Sequence, residues 1–247
     1  MKRRCLWATL DLSSLCHNLD LVESIEKATL RLVVQALVDF SSEASQTFLA
    51  EQDLVADIGE DITREALDRL GTSILPVRLF GKMDYKRARY LFLPDFSVKQ
   101  ALFVDSKAED VSGQRTATIQ IAQTSMRIRQ WRQGSLVEEE GKLPTVIPTQ
   151  RGDLLTTTIF VKYNYTEETD PKSNQLLSIN VLCLPNGLLQ ERYNPSADDT
   201  IWLAGRNAPS RGEAFRVRIS LSRLKHKQRW RVQNILLSPS VSFSWDE

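Results

Sequence analysis

The residues with the clearest capacity for chemistry lie between Gly81 and Glu109. Asp84 stands in the segment Gly81-Lys-Met-Asp-Tyr-Lys-Arg-Ala-Arg-Tyr90, and Asp105-Ser106-Lys107 follows about one strand later. Asp84 precedes a basic, β-favouring run from Tyr85 to Leu93, whereas Asp105 ends the apolar run Ala101-Leu-Phe-Val104. Side chains on a strand alternate between faces, so Asp105 and Lys107 point one way and Ser106 the other. Two carboxylates and one ammonium at a single sheet edge suit metal-assisted phosphodiester hydrolysis. Mg²⁺ is a hard ion, commonly held by one or two carboxylates together with phosphate oxygens. On this reading Asp84 and Asp105 are the ligands and the Ser106 backbone carbonyl a third. Lys107 is then the cation that stabilises the attacking water or the developing charge. Taken alone, Asp-x-Lys also reads as the end of a buried strand followed by a solvated turn, because the pattern is common by accident.

Helical and strand patterns on either side supply a frame for these groups. From Asp20 to Phe48, apolar residues recur at spacings of three and four, which predicts a long amphipathic helix with a break near Ser41-Ser42. Asp20 and Glu23 resemble a capping box at its start. Its apolar stripe is expected on the sheet or, in the other reading, at a subunit contact. A second helix is expected from Asp61 to Leu70, stopped by Gly71. Glu60 and Asp61 would cap it, although Glu60 or Glu65 could instead bring a third carboxylate to a metal. Strands are predicted at Val77–Phe80, Tyr85–Leu93, Ala101–Asp105 and Phe215–Ile219, with weaker ones at Ile119–Ile121 and Met126–Trp131. Leu154–Tyr165 and Leu176–Leu184 form the strongest hairpin signal, ended by Pro185-Asn186-Gly187, whose Asn-Gly pair tolerates positive φ, and Trp230–Leu237 gives a last strand. Residues 1 to 18 have no clear period and read as an N-terminal arm, flexible or a short ordered tail.

At 247 residues, with 42% hydrophobic and 26% charged residues, the chain suits one domain with a sizeable core and excludes wholesale disorder. No apolar run approaches the roughly 18 residues of a membrane span. The basic start Met1-Lys-Arg-Arg4 is followed by Asp11 and Ser13-Ser14, which interrupt a signal-peptide core, so a cytoplasmic protein is expected. Three cysteines without C-x-x-C spacing and two histidines argue against a zinc or histidine metal cluster. Net charge is only +1, yet the first 80 residues are acidic and the remainder carries the basic excess. The positive charge therefore lies where phosphate chemistry is expected, as it would also on an ordinary solvated surface.

Several ordered segments then meet a family. Glu23-Ser-Ile-Glu-Lys-Ala-Thr-Leu-Arg-Leu-Val-Val-Gln-Ala-Leu37, Glu60-Asp-Ile-Thr63, Asp84-Tyr-Lys-Arg-Ala-Arg89, Val104-Asp-Ser-Lys-Ala108, Glu191-Arg-Tyr-Asn-Pro195 and Pro209-Ser-Arg-Gly-Glu213 resemble the SfiI-like type II restriction endonucleases. The resemblance runs from about residue 20 to residue 236. It implies an α/β restriction-endonuclease-like core, a mixed β-sheet flanked by helices. It further implies Mg²⁺-dependent cleavage of double-stranded DNA at an interrupted GGCC palindrome (GGCC-N5-GGCC-like) and a homotetramer. By motif position the catalytic groups carry over to Asp84, Asp105 and Lys107, with Ser106 standing where the family has alanine. The chain is expected to carry an extension ahead of the matching helix and to lack part of the family's C-terminal segment.

Guanines in such a site offer O6 and N7 to bidentate arginine in the major groove. Arg206, Asn207 and Arg211, with Ser210 as a helper, occupy a loop rich in glycine and proline and are the expected base readers. Each loop arginine could alternatively form a surface ion pair, for instance with Glu213. Lys86, Arg87 and Arg89, beside the expected active centre, suit phosphates. Cutting both strands requires a homodimer at least. A repair or structure-specific nuclease, or a non-cleaving DNA-binding protein on the same fold, is the rival reading.

Overall fold

Apolar residues spaced at three and four from Val22 to Phe48 build two helices, because the chain turns at Phe40. In this computed structural model, residues 10–51, 55–71, 73–74, 88–111, 115–169, 172–203 and 216–247 are described. Helix α1 spans Leu19–Asp39 and α2 Ser41–Ala50, so the break falls where it was expected. The α1 cap is Asn18, whose side-chain oxygen accepts the Leu21 N–H, and not the expected Asp20. Ahead of it, Leu12–His17 form a 3-10 turn with Leu12 and Leu15 buried. Helix α3, Val55–Asp68, begins a turn and a half before the expected Asp61. Glu60 and Asp61 therefore lie exposed within it, and Asp61 pairs with Arg64 across one turn instead of capping. After α3, Gly71 takes the positive φ of +67° that residues with a Cβ rarely adopt.

The strands follow as β1 (Ser73–Ile74), β2 (Arg89–Leu93), β3 (Val98–Asp110), β4 (Thr116–Gln120), β5 (Ile128–Arg132), β6 (Ser135–Glu139), β7 (Val146–Ile147), β8 (Leu154–Thr169) and β9 (Lys172–Leu184). A short helix α4 (Gln190–Tyr193) leads to β10 (Trp202–Leu203), β11 (Arg216–Ser220), α5 (Leu221–Lys227) and β12 (Val232–Leu236). Among the described residues seven strands form the main sheet, in the order β1-β2-β3-β8-β9-β12 with β7 beside β8. It is mixed: β3 and β8 are parallel, and the other pairs are antiparallel. A smaller sheet has the order β10-β11-β4, and β5 and β6 make a separate hairpin.

Alternation on the long strands gives the main sheet two buried faces. Leu102, Ile159, Val161, Tyr163, Ile179 and Val181 meet the three long helices. On the opposite face Phe160, Leu182 and Val232 meet Ala117 and Ile119 of β4 and Val217 and Ile219 of β11. The central strands are thus covered by helices behind and by the small sheet in front. No helix among the described residues is long and apolar enough to cross a membrane.

Two turns depart from the sequence reading. Asn186 keeps a negative φ of −61°, so positive φ is not the reason for Asn186-Gly187. The Asn186 amide instead bridges the Thr145 and Thr156 carbonyls, and a Cβ on Gly187 would lie 2.2 Å from the Ser125 carbonyl oxygen. In the β5–β6 hairpin, Gln133 and Gly134 both have positive φ, 48° and 78°, as a tight two-residue connection requires.

Candidate active site

Strand β3 carries the Asp-x-Lys triplet through the middle of the main sheet, where parity decides what each side chain meets. Ser106 faces the helices. Its hydroxyl donates to Thr63 Oγ1 of α3 at 2.7 Å, and Thr63 also joins the Tyr163 hydroxyl at 2.7 Å and the Gly59 carbonyl at 2.9 Å. Burial pushes the Tyr163 phenol above its ordinary pKa, so it remains a neutral hydrogen-bonding group. Asp105 and Lys107 lie on the other face, in register with Phe160 and Lys162 of β8. Asp105 is 3% exposed. The Lys107 ammonium donates to the Thr118 carbonyl of β4 at 2.9 Å and lies 5.8 Å from the centre of the Phe160 ring.

Beyond the triplet, Glu109 continues the same face and pairs with Lys162 at 2.8 Å. Lys162 is fully buried and donates to the Thr116 carbonyl at 2.9 Å. These two residues were not singled out from sequence. The available signal was a lone lysine inside the apolar run of β8.

Of the other candidate residues, Arg89 opens β2 in register with Leu102, which places it on the helix side of the sheet. Its guanidinium donates to Asp68 at 2.6 Å and to the Arg64 carbonyl at 3.3 Å, both on α3. With 9% of its side chain exposed, Arg89 braces sheet against helix, which differs from the phosphate contact expected of it. The parity of β2 is the physical reason, since a phosphate at Asp105 would lie on the opposite face. Glu60 and Glu65 of α3 are exposed and also belong to the helix side of the sheet, away from Asp105. Asp84, Lys86, Arg87, Arg206, Asn207, Ser210 and Arg211 lie outside the described residues, as does the expected strand Val77–Phe80. The basic stretch after Ser125 is tied down locally: Arg127 pairs with Glu140, and Arg129 with Glu138.

As donors for a hard cation, the Asp105 carboxylate and the Ser106 carbonyl are of the right chemical kind. Among the described residues there is no group of three or more His, Cys, Asp or Glu able to hold a metal ion. Such a site on this face therefore needs a carboxylate from elsewhere, as the expected pairing with Asp84 supposes.

Comparison with known proteins bears on most of the chain. The family model described as type II restriction enzyme SfiI matches residues 7–235. The match thus takes in most of the segment ahead of α1 that was expected to be an extension. Type II restriction enzyme SfiI from Streptomyces fimbriatus is 36% identical over 243 residues, spanning 92% of this chain and 88% of that protein. The crystal structure of tetrameric SfiI bound to cognate DNA superposes with a TM-score of 0.77 at 34% identity, covering 92% of this chain and 88% of that one. Restriction endonuclease BglI bound to its DNA recognition sequence has the same fold, with a TM-score of 0.75 at 16% identity over 92% of this chain and 94% of its own. The mixed sheet with helices behind it and Asp105 and Lys107 on its other face is accordingly a restriction-endonuclease core, and the chain belongs to the SfiI family of type II restriction enzymes, which are site-specific deoxyribonucleases.

Proposed function

We propose that the chain hydrolyses double-stranded DNA at an interrupted GGCC palindrome of the GGCC-N5-GGCC kind, in a Mg²⁺-dependent reaction that leaves 5′-phosphate ends. The observation that carries this reading is the placement of Asp105 and Lys107 on one face of β3, in a chain of the SfiI family. Asp84 and Asp105, with the Ser106 carbonyl, would hold the ion, which when bound supplies Lewis acidity at the scissile phosphate and lowers the pKa of water. Lys107 stabilises charge on the attacking water or on a non-bridging oxygen. One of its three N–H donors goes to the Thr118 carbonyl, and that anchor sets the direction of the ammonium. Burial of Asp105 makes its charge costly unless cations are near, and this favours both Lys107 and a bound ion on that face.

Arg206, Asn207, Ser210 and Arg211 read the bases, and Lys86 and Arg87 hold phosphates. Strands β10 and β11 of the small sheet end and begin on either side of residues 204–215, so the reading segment leaves from the layer packed over Lys107. Two copies are needed to cut both strands, and assembly into a tetramer parallels the SfiI structure described as tetrameric.

The test is digestion of plasmids carrying one or two such sites, with Mg²⁺ or EDTA, by wild type and Asp105→Ala. Discrete Mg²⁺-dependent cuts that vanish in the variant are expected, with faster cutting of the two-site plasmid. Intact plasmids that are still retained in a gel shift would instead mark a DNA-binding protein without turnover.

A further inference from the structure

Two lysines from neighbouring strands grip the same edge of β4. Lys107 and Lys162 are register partners on the parallel strands β3 and β8, so their backbones lie about 4.8 Å apart and their side chains leave the same face. The Lys107 ammonium donates to the Thr118 carbonyl and the Lys162 ammonium to the Thr116 carbonyl, each at 2.9 Å. Thr116 and Thr118 are two residues apart, so these carbonyls point the same way from one strand. Strand β4 ends its sheet: β11 pairs along one side, and among the described residues no strand pairs along the other. The two ammonium groups donate to that open edge, whose carbonyls need partners once buried.

Lys162 differs from its neighbour in being fully buried and in having Glu109 at 2.8 Å, a carboxylate whose side chain is 32% exposed. A buried ammonium is costly without a paired charge, and Glu109 supplies one while remaining in contact with solvent. Glu109 follows Lys107 by two residues on the same face of β3. The pair therefore fastens β4 to the strand that bears the Asp-x-Lys triplet, one step along from the Thr118 contact.

We propose that Lys162, held by Glu109, is a positioning residue for DNA cleavage: it fixes β4 so that the Thr118 carbonyl holds the Lys107 ammonium in its working place. This inference rests on the reading of Lys107 as a catalytic group. Without the second grip, β4 keeps the apolar packing of Ala117 and Ile119 on Phe160, but its open carbonyl edge loses the Thr116 anchor beside the Thr118 contact, and a shift of that edge moves the Lys107 ammonium with it. A displacement of about 1 Å is enough to cost on the order of 100-fold in rate when a reacting group must be aligned.

The experiment uses the full-length protein and a duplex that the wild type cuts, and measures the single-turnover rate with Mg²⁺ beside the Kd for the same duplex with Ca²⁺. Lys162→Met is expected to lower the rate about 10- to 100-fold while leaving Kd within about 2-fold. A purely structural role would lower binding and rate together. Glu109→Gln, which changes a partly exposed position and keeps an acceptor for Lys162, is expected to give a smaller loss of rate, again at unchanged Kd. If Lys162→Met does not fold, Glu109→Gln decides, and a wild-type rate in it overturns the proposal. A wild-type rate in folded Lys162→Met overturns it as well. Lys107→Ala separates the two levels of inference. Loss of cleavage there with normal cleavage in Lys162→Met refutes the positioning role alone, whereas normal cleavage in Lys107→Ala refutes the catalytic reading beneath it.

Discussion

Replacing Thr63 by valine removes the hydroxyl that joins α3 to the back of the strand bearing Asp105, at nearly constant volume. In the native protein that hydroxyl receives the Ser106 Oγ hydrogen bond at 2.7 Å and shares another with the Tyr163 hydroxyl at 2.7 Å. Ser106 is 4% exposed and Tyr163 fully buried, so water cannot readily replace the lost partner. An unsatisfied buried polar group costs about 1–3 kcal/mol, and two of them put the expected loss at about 2–6 kcal/mol. The Gly59 carbonyl adds little, because it lies within α3, where the helix supplies its own donors. Ser106→Ala removes one of the stranded groups together with its donor, so alone it should cost only about 1 kcal/mol. In the Thr63→Val background it should restore stability, and the two substitutions will be strongly non-additive. Urea unfolding followed by tryptophan fluorescence at one fixed protein concentration gives the four stabilities. Ser106→Ala should also leave the cleavage rate intact, since its side chain faces α3 while Asp105 and Lys107 leave the opposite face of β3 and the Ser106 backbone carbonyl is kept. A loss below about 0.5 kcal/mol in Thr63→Val, or equal costs of Ser106→Ala in both backgrounds, would refute the network as the link between helix and strand.

Other outcomes follow from contacts elsewhere in the fold. Arg231 and Glu26 form a fully buried ion pair at 2.7 Å, so Arg231→Met should destabilise by about 3–5 kcal/mol, and adding Glu26→Gln should recover part of it in the same unfolding assay. Arg89→Ala should lower the thermal midpoint without weakening DNA binding by gel shift, because its guanidinium serves Asp68 and the Arg64 carbonyl. A change in binding with an unchanged midpoint would reverse that assignment. At the C-terminus, the Lys225 hydrogen bond holds the Asp246 carboxyl below its usual pKa, and the Lys27 hydrogen bond does the same for Glu247. Both folded values are depressed, so their contribution is present above the unfolded pKa of about 4 and fades as pH falls through the folded values. Trp245, stacked 4.9 Å beneath the Arg31 guanidinium, should report this as an acid fluorescence transition that is absent when Asp246→Asn and Glu247→Gln are combined.

Much of the frame was legible in local pattern. The three- and four-residue spacing from Val22 to Phe48 marked both helices and their break, and the apolar run through Val104 marked the strand that carries the candidate site. Alternation alone placed Asp105 and Lys107 together and Ser106 opposite, because side-chain parity is a property of one strand and needs no knowledge of its neighbours. Boundaries were less legible. The α1 cap fell to Asn18, whose amide oxygen meets the Leu21 N–H, and α3 began before the acidic residues that looked like its start. Strand β6 was missed because Gln133-Gly134 lacks the common Asn-Gly signature and Ser135–Glu139 is half polar. Helix α5 follows β11 directly, capped by Ser220, with no turn signal between them.

What tertiary structure alone decided was the partner of each polar side chain. Arg89 looked like one of three cations beside Asp84, yet its register with Leu102 turned it toward Asp68. Lys162 looked like an interruption of an apolar strand. It became Lys107's neighbour only when β8 paired parallel to β3 across the intervening strands of the chain. Periodicity is written into consecutive residues and follows from backbone geometry, whereas strand register joins segments far apart in sequence, so a charge's partner exists only once the sheet has formed.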